Sequence, residues 1–286
     1  MVKLELENIL LVVFFGFILF FGPGVILNHQ IKHEFPYGYG SSDSFQHQIR
    51  AEAIKDSGNF RYEAPYISKG FENVIGRYPP VLYHVAVIFS YSSGLEVYDS
   101  IYLILILFLI LSSFIMYFIL KKYNKIIGLI SLPFHILLFS FPISAGIFLG
   151  HWPSLMSQTF LVLLIWSITN LERKGSFIYI AISLIGTVLT HTSATIFSMF
   201  FLGLFFGLKL IFRKLNFRDI KVMSISFISM LVVTSHFILI FMNTWVKSQP
   251  YEFFVQPVWE GNPGFYILGF GLLLIPIVVG IVISLI

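Results

Sequence analysis

The chain has 286 residues, of which 57% are hydrophobic and 11% are charged, with a mean hydropathy of +0.87 and a formal net charge of +4. Soluble domains carry about 25% charged residues, so this composition excludes a soluble globular domain, a disordered chain and a nucleic-acid-binding protein. The chain contains no cysteine, which excludes thiol catalysis, disulfide bonds and cysteine-ligated metal sites. We therefore expect an all-α, polytopic transmembrane helical bundle in the cell membrane.

Eight apolar segments are candidate membrane-spanning helices, since a span needs about 20 mostly apolar residues. They lie at about 9–28, 100–120, 126–141, 154–171, 176–190, 193–212, 222–242 and 265–286. Another apolar stretch, at 80–93, has only 14 residues and follows Pro79-Pro80. Prolines are favoured at the start of a helix, so we predict a short helix there.

The distribution of lysine and arginine sets the expected topology. If 80–93 does not cross the membrane and the N-terminus is cytoplasmic, 11 basic residues lie in the inner segments, and the short outer connections hold only Lys247. If 80–93 crossed, the basic clusters at 121–125 and 209–221 would face outwards, against the positive-inside rule. We therefore predict eight spans, cytoplasmic termini, and 80–93 as a helix on the outer membrane interface.

This topology places residues 29–99 in one long extracytoplasmic loop between the first two spans. The loop holds eight of the 14 acidic residues, and long loops in compact proteins are usually functional. The eight histidines also lie toward the outer side: four are in the loop, and His151 and His191 are at outer helix ends. Any chemistry is therefore expected at the extracytoplasmic face.

Residues 41–58 predict a short amphipathic helix in this loop, with Gly58 after its last turn. Four apolar side chains fall near one face: Phe45, Ile49, Ala53 and Ile54. Asp43 and His47 are four residues apart and so are neighbours on the helix surface. A carboxylate beside an imidazole can take a proton from a hydroxyl or help to hold a divalent metal. Asp43 with Gln46 also fits a helix-capping pattern, and both interpretations stay open.

The order of motifs from the first span onward resembles the GT-C superfamily of polytopic glycosyltransferases. The motifs are Asp43-x-x-x-His47, then Arg77-Tyr78-Pro79-Pro80-x-x-x-His84, then a span that begins near Asp99 and ends in Lys121-Lys122. Members share a cytoplasmic N-terminus, one span, a large first outer loop that opens with an acidic residue, and juxtamembrane helices, one of them introduced by a Pro-Pro pair. The resemblance covers about residues 9–125, and beyond them it rests on span number and topology.

The resemblance implies transfer of a sugar from a polyprenyl- or dolichyl-phosphate carrier in the membrane lipid to a protein, lipid or glycan acceptor at the extracytoplasmic face. Asp43 matches the family's first-loop acid, thought to be a catalytic base or metal ligand. Many members have paired acids such as Asp-x-Asp, and here His47 takes the place of the second acid, as in some prokaryotic variants. The expected module covers residues 1–286. It is shorter than most members and ends in an apolar segment at Ile286, as a fragment or a minimal member would.

Two helix starts on the outer face are candidate sites for the carrier phosphate. Residues 150–154 open the fourth span, and residues 190–193 join the fifth and sixth spans. The N-termini of the helices that follow present unpaired N–H groups and the positive end of the helix dipole, which favour a phosphate. His151 and His191 are therefore predicted to bind the lipid phosphate.

Arginines of the loop are further phosphate candidates, because a guanidinium forks onto phosphate oxygens. They are Arg50, Arg61 and Arg77, and we select Arg77 because it directly precedes the Pro-Pro helix. A purely structural interpretation remains for the helix starts: Trp152, His151 and His191 as interfacial anchors, and Thr192 or Ser193 as a plain N-cap.

The metal requirement and the class of protein stay open on the sequence. A divalent cation such as Mg²⁺ or Mn²⁺ is a candidate cofactor, but the histidine spacing has no tight ligand signature. The competing class is a non-catalytic membrane protein, either a transporter or a scaffold subunit of envelope-glycan assembly. A transporter needs ionisable residues near the bilayer midplane, where the sequence offers only His135 and His236.

Overall fold

The computed structural model describes residues 5–25, 42–58, 78–137 and 150–242, and these ranges are helical with no strand. They contain nine helices: α1 (Leu6–Val25), α2 (Ser42–Ser57), α3 (Val81–Ser93), α4 (Val97–Lys121), α5 (Lys125–Leu137), α6 (Trp152–Ile168), α7 (Ser176–Thr190), α8 (Thr192–Ile211) and α9 (Phe217–Phe241). The predicted all-α fold class is confirmed for these ranges. The predicted span at 265–286 lies outside them.

Three of the helices are long and apolar enough to cross a membrane, namely α4, α8 and α9. Their 20 to 25 residues match the roughly 30 Å of a bilayer's hydrocarbon core at about 1.5 Å per residue. The segments predicted as spans at 154–171 and 176–190 form the helices α6 and α7, whose 17 and 15 residues make them shorter apolar helices rather than candidate spans. The described part of the chain therefore contains three candidate membrane spans and several shorter apolar helices.

The loop helices α2 and α3 pack onto the first turns of α4 and α6 and share one hydrophobic core with them. Helix α3 begins directly after Pro79-Pro80, as predicted, and ends at Gly94. That glycine has φ +75°, and its N–H donates to the Ser90 carbonyl at 2.9 Å. The largest side chains of this core are fully buried: Leu82, Tyr83, Ile101, Tyr102, Leu105, Trp152 and Met156.

A second core joins the later part of α6 to α7, α8 and α9. Helices α6 and α7 approach closely at Gly186, where a Cβ atom would lie 2.1 Å from Cδ1 of Phe160. Small residues allow helix backbones to pack at such short range. The Ser226 hydroxyl of α9 donates to the Phe177 carbonyl of α7 at 3.0 Å. This hydrogen bond connects α9 to the packed pair of α6 and α7.

Ion pairs join the helix ends that carry the predicted inner basic clusters. The Glu7 carboxylate of α1 accepts from Lys121 and Lys125, each at 2.5 Å, and so connects α1 to the α4–α5 hairpin. Lys209 near the end of α8 pairs with Asp219 at the start of α9 at 2.6 Å. These contacts place the basic residues at one end of the bundle, opposite α2 and α3.

Candidate functional site

Helix α2 turns a polar face into the protein. Three polar side chains on that face are almost completely buried: Ser44, His47 and Arg50. The predicted apolar face is correct for Ala53 and Ile54, which are buried, but wrong for Phe45, which is 45% exposed. Burying polar groups costs free energy unless they find partners, so the inward polar face of α2 needs partners within the protein.

The start of α2 rests directly on Gly150. A Cβ atom at Gly150 would lie 2.5 Å from the Ser44 backbone nitrogen and 2.7 Å from Ser44 Oγ, and the residue has φ +80°. Only glycine tolerates both the contact and this backbone conformation. The contact brings Asp43, in the first turn of α2, to the N-terminus of α6, where His151 is the N-cap residue.

Asp43 lies inside α2, which begins at Ser42, so Asp43 is not the residue that precedes and caps the helix. The Oε1 atom of Gln46 lies 3.5 Å from Arg50 Nη2. The half-buried Asp43 carboxylate at the positive end of the helix dipole is favourably placed as an anion.

His47 is held from two sides in the buried part of the site. Its Nδ1 lies 2.7 Å from the Tyr83 hydroxyl of α3, and the ring also hydrogen-bonds to the backbone of Gly150. Burial lowers the pKa of His47 to about 3, and the nearby charges of Arg50 and two other histidines act in the same direction. The imidazole is therefore neutral at physiological pH and joins α2, α3 and the start of α6.

Arg50 is the buried cation of the site, with 4% of its surface exposed. Its guanidinium carbon lies 5.1 Å from the centre of the Tyr78 ring, a cation–π distance. Its Nε and Nη1 atoms are buried and have no hydrogen-bond partner in the described ranges. Open donors on a buried guanidinium favour an anionic ligand such as a phosphate or a carboxylate.

Tyr78 connects the α2 side of the site to His191. Its ring centroid lies 5.2 Å from that of His47 and 6.3 Å from that of His191. Burial raises the pKa of the Tyr78 hydroxyl, while Arg50 lowers it and Asp43 raises it. Both charged side chains therefore lie near this ring.

His191 itself is the N-cap of α8, so neither of the two residues after it takes the predicted capping role. Its Nδ1 accepts the Ser193 backbone N–H at 3.3 Å and lies 2.6 Å from Ser193 Oγ. Burial, followed by the charge of nearby His151, lowers the pKa of His191 to about 4. In the neutral ring the proton is then on Nε2, which makes His191 a neutral hydrogen-bond donor.

Trp152 is fully buried, so its predicted role as an interfacial anchor is wrong. Its ring centroid lies 6.0 Å from that of His47 and 5.5 Å from that of Tyr102. The Trp152 side chain is buried because the first turn of α6 packs against α2 and α4 rather than against solvent or lipid. The indole therefore forms one wall of the site.

Four of the five predicted site residues come together at this end of the bundle: Asp43, His47, His151 and His191. The fifth, Arg77, lies outside the described residues. Arg50 was considered and not selected, and Tyr78, Tyr83 and Gly150 were missed. The sequence signals for Arg50 are its guanidinium in the first loop and its spacing of three residues from His47 on one helical face. We call Asp43, His47, Arg50, Tyr78, His151 and His191 the His47 cluster.

The described side chains give little support to two other interpretations of the sequence, a metal site and a transporter. Among them, no group of three or more His, Cys, Asp or Glu residues is arranged to hold a metal ion, so the Mg²⁺ or Mn²⁺ prediction gains no ligand set there. For the transporter interpretation, His236 lies on the exposed face of α9, and the side chain of His135 is outside the description. No protein family model, curated protein or solved structure matches the chain.

Proposed function

We propose that the chain is a membrane-embedded glycosyltransferase that moves a sugar from a polyprenyl- or dolichyl-phosphate carrier to an acceptor hydroxyl. The observation that carries the proposal is the buried Arg50 guanidinium, two of whose nitrogens have no partner among the described residues, in the same cluster as the Asp43 carboxylate. An anion receptor next to a proton acceptor is the pair of groups that transfer from a phosphate-linked donor requires.

In the proposed reaction, the oxygen of the acceptor hydroxyl attacks the anomeric carbon of the sugar while Asp43 takes the proton of that hydroxyl. The bond between that carbon and the carrier phosphate oxygen breaks, and the electron pair leaves with the phosphate. Arg50 holds the departing phosphate, and the neutral His191 donates a hydrogen bond to it. In the proposal, His151 at the start of α6 and Arg77 also bind the carrier phosphate, as the sequence predicts.

We assign His47 a positioning role within this reaction. The sequence pairs it with Asp43 as a catalytic partner, but its ring is 2% exposed and is already bonded to Tyr83 and to the Gly150 backbone. A buried imidazole with these partners orients α2, and hence Asp43 and Arg50, against the start of α6. The proton acceptor in the proposal is therefore Asp43 alone.

The proposal includes the topology expected from the sequence: eight spans, cytoplasmic termini and a long first extracytoplasmic loop within a single module. It is supported by the three candidate spans and by the gathering of lysines at the end of the bundle opposite α2. With this orientation the His47 cluster faces the extracytoplasmic side, where an acceptor protein, lipid or glycan meets the lipid-linked donor.

The test compares Asp43→Ala with Asp56→Ala, which removes an exposed carboxylate from the same helix. The full chain is placed in lipid nanodiscs with a membrane acceptor fraction and labelled polyprenyl-phosphate glucose or mannose. General bases contribute about 10²- to 10⁴-fold, so we expect Asp43→Ala to lose at least about 100-fold in transfer and Asp56→Ala to retain it. Unchanged transfer by a monodisperse Asp43→Ala protein contradicts the proposal.

A further inference from the structure

A cavity lies at the other end of α6, far from the His47 cluster. It has a volume of about 400 Å³, and its lining includes Thr169, Arg173, Phe205 and Lys209. Helix α6 has 17 residues between Trp152 and Ile168, so the two sites are about 25 Å apart along the helix. We call this the basic cavity.

Cations outnumber carboxylates around the basic cavity. Arg173 and Lys209 line it, and two further cations contact the 169–172 segment that forms its rim. Lys122 Nζ donates to the Thr169 carbonyl at 3.2 Å, and Arg218 donates to the Glu172 carbonyl. The facing carboxylates are that of Glu172, which also lines the cavity, and that of Asp219, which pairs with Lys209.

Among the described residues, neither Lys122 nor Arg173 forms an ion pair, whereas Lys209 pairs with Asp219. Burial lowers the pKa of Lys122, and the charge of Arg173 lowers it further. The Arg173 guanidinium lies 5.7 Å from the Trp166 ring, a contact that holds the cation at the rim without neutralising it. Two adjacent cations of this kind favour an anion between them.

The position of the basic cavity relative to the candidate spans identifies the kind of anion. Helix α8 ends at Ile211 and α9 begins at Phe217, and Lys209 is in the last turn of α8. The ends of membrane spans lie at the depth of the lipid head groups. Apolar side chains continue from this level along the exposed face of α8, where Phe200 and Leu204 are 72% and 52% exposed.

We propose that the basic cavity binds the phosphate of an anionic phospholipid, with Arg173 and Lys122 as its main ligands and the acyl chains along the exposed face of α8. Basic pockets between membrane helices bind anionic head groups by this combination of charge and apolar surface. The site is independent of the proposed transferase reaction, since it lies at the opposite end of the bundle.

The experiment measures lipid binding to the purified full chain by native mass spectrometry. Phosphatidylglycerol and phosphatidylcholine with identical acyl chains are compared, and inorganic phosphate is added as a competitor. We expect phosphatidylglycerol to bind more tightly, and inorganic phosphate not to displace it. A basic residue near an anionic lipid contributes about 1 kcal/mol, so Arg173→Gln and Lys122→Gln are each expected to weaken binding about fivefold.

Lys214→Gln is the matched control, because it removes an exposed positive charge from the same end of the bundle outside the cavity. It is expected to bind phosphatidylglycerol as the wild type does. If Arg173→Gln is unstable in a thermal melt, Arg173→Lys, which keeps the charge, is measured in its place. Equal binding of the two lipids, equal loss in Lys214→Gln, or displacement by inorganic phosphate at comparable concentration would overturn the proposal.

Discussion

Helices α2 and α9 reverse the usual relation between composition and burial. Helix α2 is polar, yet it buries His47 and Arg50, which are 2% and 4% exposed. Helix α9 is a candidate membrane span, yet Val232 and Leu239 are 68% and 62% exposed in the described structure. Apolar side chains on the outside suit a hydrocarbon environment, whereas polar groups on the inside need specific partners. Helix α9 thus presents an exposed apolar surface, whereas α2 contributes to a buried polar cluster.

The two helices are also held by different kinds of contact. Helix α9 begins with a capping box between Asn216 and Asp219, so local sequence determines where it starts. Helix α2 depends on partners far along the chain, through Ser44 against Gly150 and His47 against Tyr83. Substitutions at those distant partners are therefore expected to disturb the His47 cluster specifically.

The largest effect is expected from Gly150→Ala. The added Cβ would meet the Ser44 backbone at 2.5 Å, in a residue with φ +80°. A left-handed conformation costs a non-glycine residue about 1–2 kcal/mol, and overpacking adds about 1–3 kcal/mol. Denaturant unfolding followed by intrinsic tryptophan fluorescence measures the loss, which we expect to total about 2–5 kcal/mol.

Gly94→Ala is the control for Gly150→Ala. Gly94 has φ +75°, but a Cβ there meets nothing within 4 Å, so it should cost only the conformational penalty of about 1–2 kcal/mol. If the two variants lose the same stability, the contact between α2 and Gly150 is not what holds the site.

In the second core, Gly186→Ala tests the close approach of α6 and α7. A Cβ at this position would lie 2.1 Å from the Phe160 ring, and overpacking of this kind costs about 1–3 kcal/mol. Gly203 of α8 is a helical glycine with open space around its Cβ position. We expect Gly203→Ala to be neutral or to stabilise by up to about 1 kcal/mol. In thermal melts in detergent, Gly186→Ala should therefore have a lower melting temperature than Gly203→Ala.

Tyr83→Phe removes the hydroxyl that contacts His47 Nδ1 and leaves a buried ring nitrogen without that partner. Such a loss costs about 1–3 kcal/mol. The matched control is Tyr91→Phe on the same helix, because Tyr91 is 56% exposed and its hydroxyl donates to the Lys55 carbonyl at 2.5 Å. Water can replace that bond, so a smaller loss is expected; equal losses would show that His47 does not depend on Tyr83.

The lowered pKa of His47 makes stability depend on pH. The unfolded histidine takes up a proton near pH 6.5, but the folded one does so only near pH 3. Stability is therefore full above about pH 6.5 and falls as the pH is lowered, by at most about 1.4 kcal/mol per pH unit for each such histidine. His191, with a pKa of about 4, contributes in the same direction.

Melting temperatures between pH 7.5 and pH 4.5 measure this dependence. In His47→Gln the decline should be smaller, because one of the two shifted groups is gone. At pH 7.5 the wild-type imidazole is neutral in both the folded and the unfolded protein. The difference in melting temperature between the wild type and His47→Gln at this pH therefore reports the loss of packing alone, without the effect of protonation. An unchanged pH slope in His47→Gln contradicts the assignment of a buried, neutral imidazole.

Helix positions were largely predictable because local signals determine them. Pro79-Pro80 marked the start of α3, Gly58 the end of α2, and the apolar run before Lys121 the extent of α4. The sequence analysis assigned Asp43, His47, His151 and His191 to one side of the membrane, and the structure brings these four residues together at one end of the bundle.

The orientation of α2 was not predictable from its own sequence. Apolar periodicity favoured a face that included Phe45, whereas the tertiary contact with Gly150 turns the face of Ser44, His47 and Arg50 inwards. The burial of Trp152 has the same origin, since it depends on helices that are distant in sequence. Contacts of this range carry no local pattern, and so Tyr83 and Gly150 were missed.

Binding of a short-chain polyprenyl phosphate to the 286-residue chain tests the proposed anion-binding role of the His47 cluster most directly. Hydrogen bonds to a charged group contribute about 1.5–3 kcal/mol, so Arg50→Gln is expected to weaken binding about 10- to 100-fold. Asp43→Asn is expected to retain binding while losing transfer, and Asp56→Asn to retain both. If Arg50→Gln, folded as judged by its melting temperature, binds the lipid phosphate as tightly as the wild type, the buried guanidinium is not the anion receptor.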